Sequence, residues 1–170
     1  MALYSYLSFK SAHDSLDLDK YVVDGIESGF ACPIAWRALF RSDQIDSENF
    51  IVLSMTMEAK ITLAERSPDL NSALGNDWHN GIKQFVGFLD TAEYVELNLQ
   101  DWFGNNTDDF ESHIADTLSV FSEPLYTGKK HLITRKPKIS KKWSDYILQD
   151  RQWIFAVSYT HLTLPTIYSV

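Results

Sequence analysis

The clearest pattern of apolar and polar positions lies between Asp77 and Phe121, and it spells helix, strand, helix. Trp78, Ile82, Phe85, Val86 and Leu89 recur at the spacing of one helical face, with Asp77, Lys83, Gln84 and Asp90 on the wet side. Asn76 or Asp77 suits the N-cap, because a short side-chain oxygen accepts from an orphan backbone N–H. Next, Val95, Leu97 and Leu99 alternate with Glu96, Asn98 and Gln100, the period of a half-buried strand. The run is expected to break at Gly104. A helix capped by Thr107 or Asp108 then turns Phe110, Ile114, Leu118 and Phe121 to one side and ends before Pro124.

Outside this unit the patterns are shorter. Leu3 to Phe9 alternates and is rich in β-formers, so it reads as a strand, and residues 11–20 read as a polar connection. Gly25 and Gly29 are expected to interrupt residues 21–30, and Pro33 to open a short helix through Arg41. Residues 50–66 fit neither period well. Two strands, near 50–55 and 59–64, are expected there, with a helical turn beginning at Ser67-Pro68-Asp69. Leu125 to Thr134 reads as extended and bent at Gly128. Ile139, Trp143, Tyr146 and Ile147 share a helical face, and Gln152 to Val157 reads as a strand.

These elements make an α+β domain over residues 1–156, with a small mixed or antiparallel sheet packed against a few helices. Apolar content of 45% in 170 residues supplies a core for one domain. No apolar run approaches the roughly 20 residues that cross a bilayer, and the amino terminus lacks a basic leader. The single cysteine, Cys32, excludes an internal disulfide, and a cytoplasmic location is expected. Residues 157–170 stand apart: the segment from Ser158 to Thr166 resembles a translation product of sequencing-adapter DNA, which implies a non-native tail.

Charge changes the picture most. Residues 1–128 hold 7 Lys/Arg against 21 Asp/Glu, a net charge of −14, whereas residues 129–151 hold 8 against 2, a net charge of +6. An acidic body repels nucleic acid and membrane surfaces and attracts basic partners. The basic run from Lys129 to Lys142, next to Trp143 and Tyr146, has two readings. It neutralises phosphates, or more simply it docks onto or balances the acidic body.

Candidate chemistry is sparse. No two of His13, His79, His113, His131 and His161 stand four apart, and the chain has no phosphate-binding glycine loop and no nucleophile elbow. Asp108, Asp109 and Glu111, or Asp17 and Asp19, lack the oxygen spacing of a calcium loop. No cofactor and no metal is expected. His79 beside Asp77 reads either as a general base or as a surface histidine at a helix start. Cys32 before Pro33 reads as an activated thiol or as a small core residue. Five tryptophans are many for this length, and strand alternation places Trp102 opposite the apolar face, the place of an interface anchor or of a core residue after a bulge.

Ser5-Tyr6-Leu7, Gly25-Ile26-Glu27-Ser28-Gly29-Phe30, the helix Pro33 to Phe40, and Gly81, Phe85, Phe88 and Leu89 together resemble segments of small uncharacterised bacterial proteins. In size and acidity such proteins resemble the immunity proteins that neutralise bacterial toxins. The resemblance implies a non-enzymatic protein-binding module of immunity or antitoxin type, whose partner is a basic toxin. Asp101, Trp102, Asp108, Asp109 and Glu111 are the expected contacts. The rivals are a small hydrolase-like enzyme using His79 or Cys32, and an accessory structural subunit.

Overall fold

The amino-terminal alternation forms β1 (Tyr4–Lys10), which buries Leu7 and Phe9 and leaves Tyr4, Tyr6 and Lys10 half-covered. A computed structural model describes residues 3–10, 24–90, 92–150 and 154–155. β1 pairs with β2 (Asp24–Gly29) on one side and with β5 (Tyr94–Asn98) on the other. β4 (Ile51–Met55) joins β5, and the two-residue β3 (Ile45–Asp46) completes the order β2-β1-β5-β4-β3, antiparallel throughout. The register lines up Ile26, Leu7, Leu97 and Val52 in one row across four strands. All four are buried, so pairing and core formation select the same alignment.

Helices cover that apolar side. α1 (Ile34–Arg37) is a single turn in a segment buried from Pro33 to Phe40. α2 (Thr56–Leu74) and α3 (Asn76–Leu89) form a pair separated by Gly75. After β5 come the one-turn α4 (Gln100–Phe103), α5 (Thr107–Ser119) and α6 (Lys141–Asp150). Between α5 and α6 a separate hairpin, β6 (Tyr126–Lys130) and β7 (Pro137–Ile139), carries the basic run. One buried cluster joins the sheet to every helix except α4, whose Trp102 and Phe103 pack on its margin; this is a single compact α+β domain. Ile154 and Phe155 also belong to it: the Ile154 carbonyl accepts from Ala35 N–H at 2.8 Å, and the Phe155 ring stacks on Trp78 at 5.3 Å.

Several expectations are corrected. Residues 59–64 are helix, because the side of α2 that faces the core is built from Thr56, Ala59, Thr62 and Leu63. Small and hydroxyl-bearing residues pack closely there, while Met57 and Ile61 point to solvent, so the apolar period is hidden. Pro68 lies inside α2 instead of opening a new turn, and Ser67 Oγ donates to the Leu63 carbonyl at 2.7 Å beside it. Gly25 and Gly29 do not break β2. An added Cβ at Gly25 would stand 3.1 Å from the Leu7 carbonyl, so the glycine permits close strand approach. Gly75 caps α3 in place of Asn76 or Asp77, and Asn106 caps α5 in place of Thr107 or Asp108, with its side-chain oxygen accepting from Asp109 N–H at 3.1 Å. Ile139 lies in β7, one residue before the turn into α6. The polar connection 11–20, most of the strand expected over 152–157 and the tail 157–170 lie outside the described residues.

Two helical glycines make a paired test of packing. A methyl group at Gly87 meets nothing within 4 Å, so Gly87→Ala should raise stability by the helix-propensity difference, roughly 0.8 kcal/mol. At Gly81 the methyl carbon would lie 2.3 Å from the Phe155 ring, which is wedged between Trp78 and Phe85. There the same substitution should lower stability by roughly 1–2 kcal/mol, since overpacking outweighs propensity. Equal shifts in the denaturation midpoints of the two variants would contradict the seat assigned to Phe155.

Candidate functional site

α5 is pinned by a stripe of Phe110, Ile114 and Leu118, all buried. Phe110 meets Phe50 edge-on at 5.6 Å and Phe103 at 5.5 Å, tying α5 to the loop before β4 and to α4. With that stripe inward, Asp108, Asp109 and Glu111 are exposed on the first turns of α5. There they face the positive end of the helix dipole, so clustering them costs less than it would elsewhere. Asp109 also accepts from Asn106 Nδ2 at 2.5 Å.

Glu111 accepts from Ser47 Oγ at 2.8 Å, which joins this helix to the segment between α1 and β4. The contact adds Asp43, Asp46 and Glu48 to the same corner. Asp46 is held by two hydrogen bonds from Asn49, at 3.3 Å from the backbone N–H and 2.8 Å from Nδ2. Asp101, exposed on α4, accepts from Tyr6 Oη at 3.4 Å at the neighbouring sheet end. Partial burial, then the Asp101 and Glu27 charges, raise the Tyr6 phenol above its ordinary pKa, so it remains a neutral donor.

The corner has no nearby counter-charge in sequence. Residues 84–128 contain nine Asp/Glu and no Lys/Arg, and residues 42–59 contain four and none. Most of the described cations elsewhere in the body are engaged, Lys83 on α3 being exposed without a described ion pair. Lys10 pairs with Glu96 at 2.5 Å, Arg41 with Glu65 at 3.0 Å and Lys60 with Asp90. Two guanidinium groups point inward: Arg37, only 4% exposed, lies 4.7 Å over the Tyr146 ring, and Arg66 lies 4.0 Å over Phe121. Positive charge kept inside the fold does not screen the exterior, so the surface is more negative than formal counting implies.

Of the expected contacts, the structure brings Asp108, Asp109 and Glu111 together on one helix and places Asp101 on the adjoining turn. Trp102 is half-buried against the core, because the strand ends at Asn98 and the residues after it turn into α4. Its indole N–H is buried and meets no acceptor among the described residues. The alternation that placed it outward does not extend that far. Asp43, Asp46 and Glu48 escape sequence reasoning: they sit in a polar loop some sixty residues upstream, and no local signal places that loop beside α5.

The groups considered for catalysis are separate. His79 is exposed on the first turn of α3, and no described hydrogen bond orients its side chain on Asp77. Cys32 is half-buried against the core beside α1, and a single helical turn carries little dipole to activate a thiol. Neither residue lines the open groove of about 410 Å³ between α5 and α6, which presents Asp116, Asp145, Lys141 and Lys142. Among the described residues no three His, Cys, Asp or Glu side chains are grouped to hold a metal, and no helix is long and apolar enough to cross a membrane. No protein-family model, no curated protein and no solved structure matches the chain.

Proposed function

We propose that this chain is a non-enzymatic protein-binding module, of the immunity or antitoxin type, which acts in the cytoplasm on a basic protein partner such as a cationic toxin. The observation that carries this reading is the acidic corner, where Asp101, Asp108, Asp109 and Glu111 share an exposed surface with Asp43, Asp46 and Glu48 on a rigid support. A fixed field of one sign accelerates encounter with an oppositely charged protein and rejects partners of like charge. The partly exposed edge of Trp102 supplies apolar contact at the margin of the corner.

The test begins with affinity capture from the source cells and identification of the retained basic protein. Reversing Asp101, Asp108, Asp109 and Glu111 together to lysine should slow association with that protein by about tenfold or more and flatten its salt dependence. An association rate unaffected by the four reversals would remove this corner from the interface. Capture of a small-molecule-processing assembly, with turnover lost on His79→Ala or Cys32→Ala, would transfer the function to the enzyme reading.

A further inference from the structure

The hairpin that carries Lys129 to Lys138 stands exposed, unlike α6 after it, which packs into the core. Every residue from Tyr126 to Lys138 is exposed, and the two strands pack on each other. Among the described contacts the ribbon is tied at its foot, by buried Leu125 and by Ser140 N–H donating to the Leu125 carbonyl at 2.8 Å, while Thr127 Oγ1 donates across it to the Lys138 carbonyl at 3.3 Å. Its tip is a five-residue turn in which Arg135 N–H donates to the His131 carbonyl and His131 N–H to the Lys136 carbonyl, each at 3.0 Å. Arg135 holds φ at 58°, a left-handed conformation that costs a non-glycine residue free energy. The turn presents Leu132 and Ile133 to water, 88% and 95% exposed. Lys130 and Lys138 line the same surface as this aliphatic pair, Lys129, Arg135 and Lys136 flank it in the chain, and none of the five has a described ion pair.

A surface with the opposite features lies on the body. At the junction of β4, α2 and the end of α3, Met55, Met57, Leu89 and Ala92 line an open groove of about 330 Å³. Leu53 and Ile61 extend its apolar area, and with Met55 and Met57 they are the large hydrophobic side chains the body leaves exposed there. Two carboxylates line its edge: Glu93, exposed and without a described ion pair, and Asp90, which pairs with Lys60, the one cation in the lining. Methionine-rich surfaces adapt readily to aliphatic knobs.

We propose that this groove receives Leu132 and Ile133 of a second copy of the chain, with the cations of the ribbon facing Asp90 and Glu93 on the rim. Both halves of the contact are on one chain: an aliphatic tip flanked by cations, and an apolar groove edged by carboxylates. A reciprocal two-fold exchange doubles the buried surface, which a single hairpin tip leaves below the roughly 1,000 Å² of a stable interface. The exchange leaves the acidic corner on α4 and α5 outside the contact, so its failure and the failure of the proposed function are separately readable.

The experiment is sedimentation equilibrium of the purified full chain. Wild type should be a dimer whose dissociation constant rises with salt, because the rim charges are exposed. Leu132→Asp/Ile133→Asp should weaken it by about a hundredfold or more, since both charges would have to enter an apolar groove. Two further variants isolate the charge pairing: a ribbon carrying Lys129→Glu, Lys130→Glu, Arg135→Glu and Lys136→Glu, and a groove carrying Asp90→Lys and Glu93→Lys. Each alone should be monomeric, and an equimolar mixture should recover the dimer, because both reciprocal contacts regain opposite signs. Circular dichroism of each variant checks that the fold is retained. A monomeric wild type, a dimer indifferent to the tip substitutions, or a mixture that stays monomeric overturns the proposal. So does a monomer that cofloats with phosphatidylglycerol vesicles through Leu132 and Ile133, an outcome that would assign the ribbon to a lipid surface.

Discussion

Trp143→Ala is expected to lower the unfolding free energy by about 4 kcal/mol, the cost of deleting a fully buried aromatic side chain. Trp143 has no exposed surface. Its indole N–H donates to the Glu123 carbonyl at 2.9 Å, and its ring meets Phe121 and Tyr146 edge-on at 5.5 and 6.0 Å. Through these contacts it fastens α6 to the turn after α5, which is also the foot of the basic ribbon. Trp143→Phe should cost roughly 1–2 kcal/mol, because it keeps most of the aromatic packing and loses the donor to Glu123. Urea denaturation followed by far-ultraviolet circular dichroism gives the comparison without relying on tryptophan emission. Against a total stability of about 5–15 kcal/mol the alanine change is severe. A loss under about 1 kcal/mol would show that α6 lies outside the cooperative unit.

Arg66→Ala should cost about 3 kcal/mol for a different reason. Arg66 Nη1 donates to the carbonyls of Phe40 at 2.6 Å, Ala38 at 3.0 Å and Arg37 at 3.5 Å. The Ala38 and Phe40 carbonyls follow the last turn of α1, where no described backbone N–H reaches them, whereas the Arg37 carbonyl also accepts from Phe40 N–H at 3.3 Å. The guanidinium also covers Phe121. Alanine leaves buried acceptors unpaired, which costs more than the net worth of the bonds themselves. Arg66→Lys should recover only part of the loss, since an ammonium can donate to these carbonyls but lacks the planar group that lies over Phe121. Burial pulls the Arg66 pKa down to about 10, so the group stays charged through the neutral range and the loss should be flat between pH 6 and 8. Full rescue by lysine would mean that donation to the carbonyls, and not the planar contact with Phe121, holds this turn.

Much of the architecture is written in large apolar residues at regular spacing. Trp78, Phe85 and Leu89 of α3, Val95 and Leu97 of β5, Phe110, Ile114 and Leu118 of α5, and Trp143, Tyr146 and Ile147 of α6 are all buried as their period implies. The pattern is silent where packing uses small residues. Ala59 and Thr62 let α2 approach the sheet closely, so the largest side chains of that turn, Met57 and Ile61, remain outside and mimic a strand. Fold class therefore emerged from composition and period, whereas the α2 boundary depended on a contact that the local sequence does not encode. The acidic corner was half legible: Asp108, Asp109 and Glu111 follow from one helix, but Asp43, Asp46 and Glu48 reach it through Ser47 and a long chain reversal. The sign of the segment after Gly128 was plain, while the exposure of its hairpin, which changes what it can touch, required three dimensions.

The strand order has a consequence for synthesis. β1 lies next to the middle of the sheet, yet its partner β5 follows about 85 residues later, and the N–H of Ala35 is satisfied only by residue 154. At ribosomal elongation rates of about 10 residues per second, β2 leaves the exit tunnel roughly six to seven seconds before β5. Throughout that interval the β1 edge that β5 will occupy is unpaired, and α1, α2 and α3, which cover the apolar side, emerge only in the course of it. Cells making this protein must shield that edge while translation proceeds, and slower codons between residues 30 and 90 would lengthen the exposure.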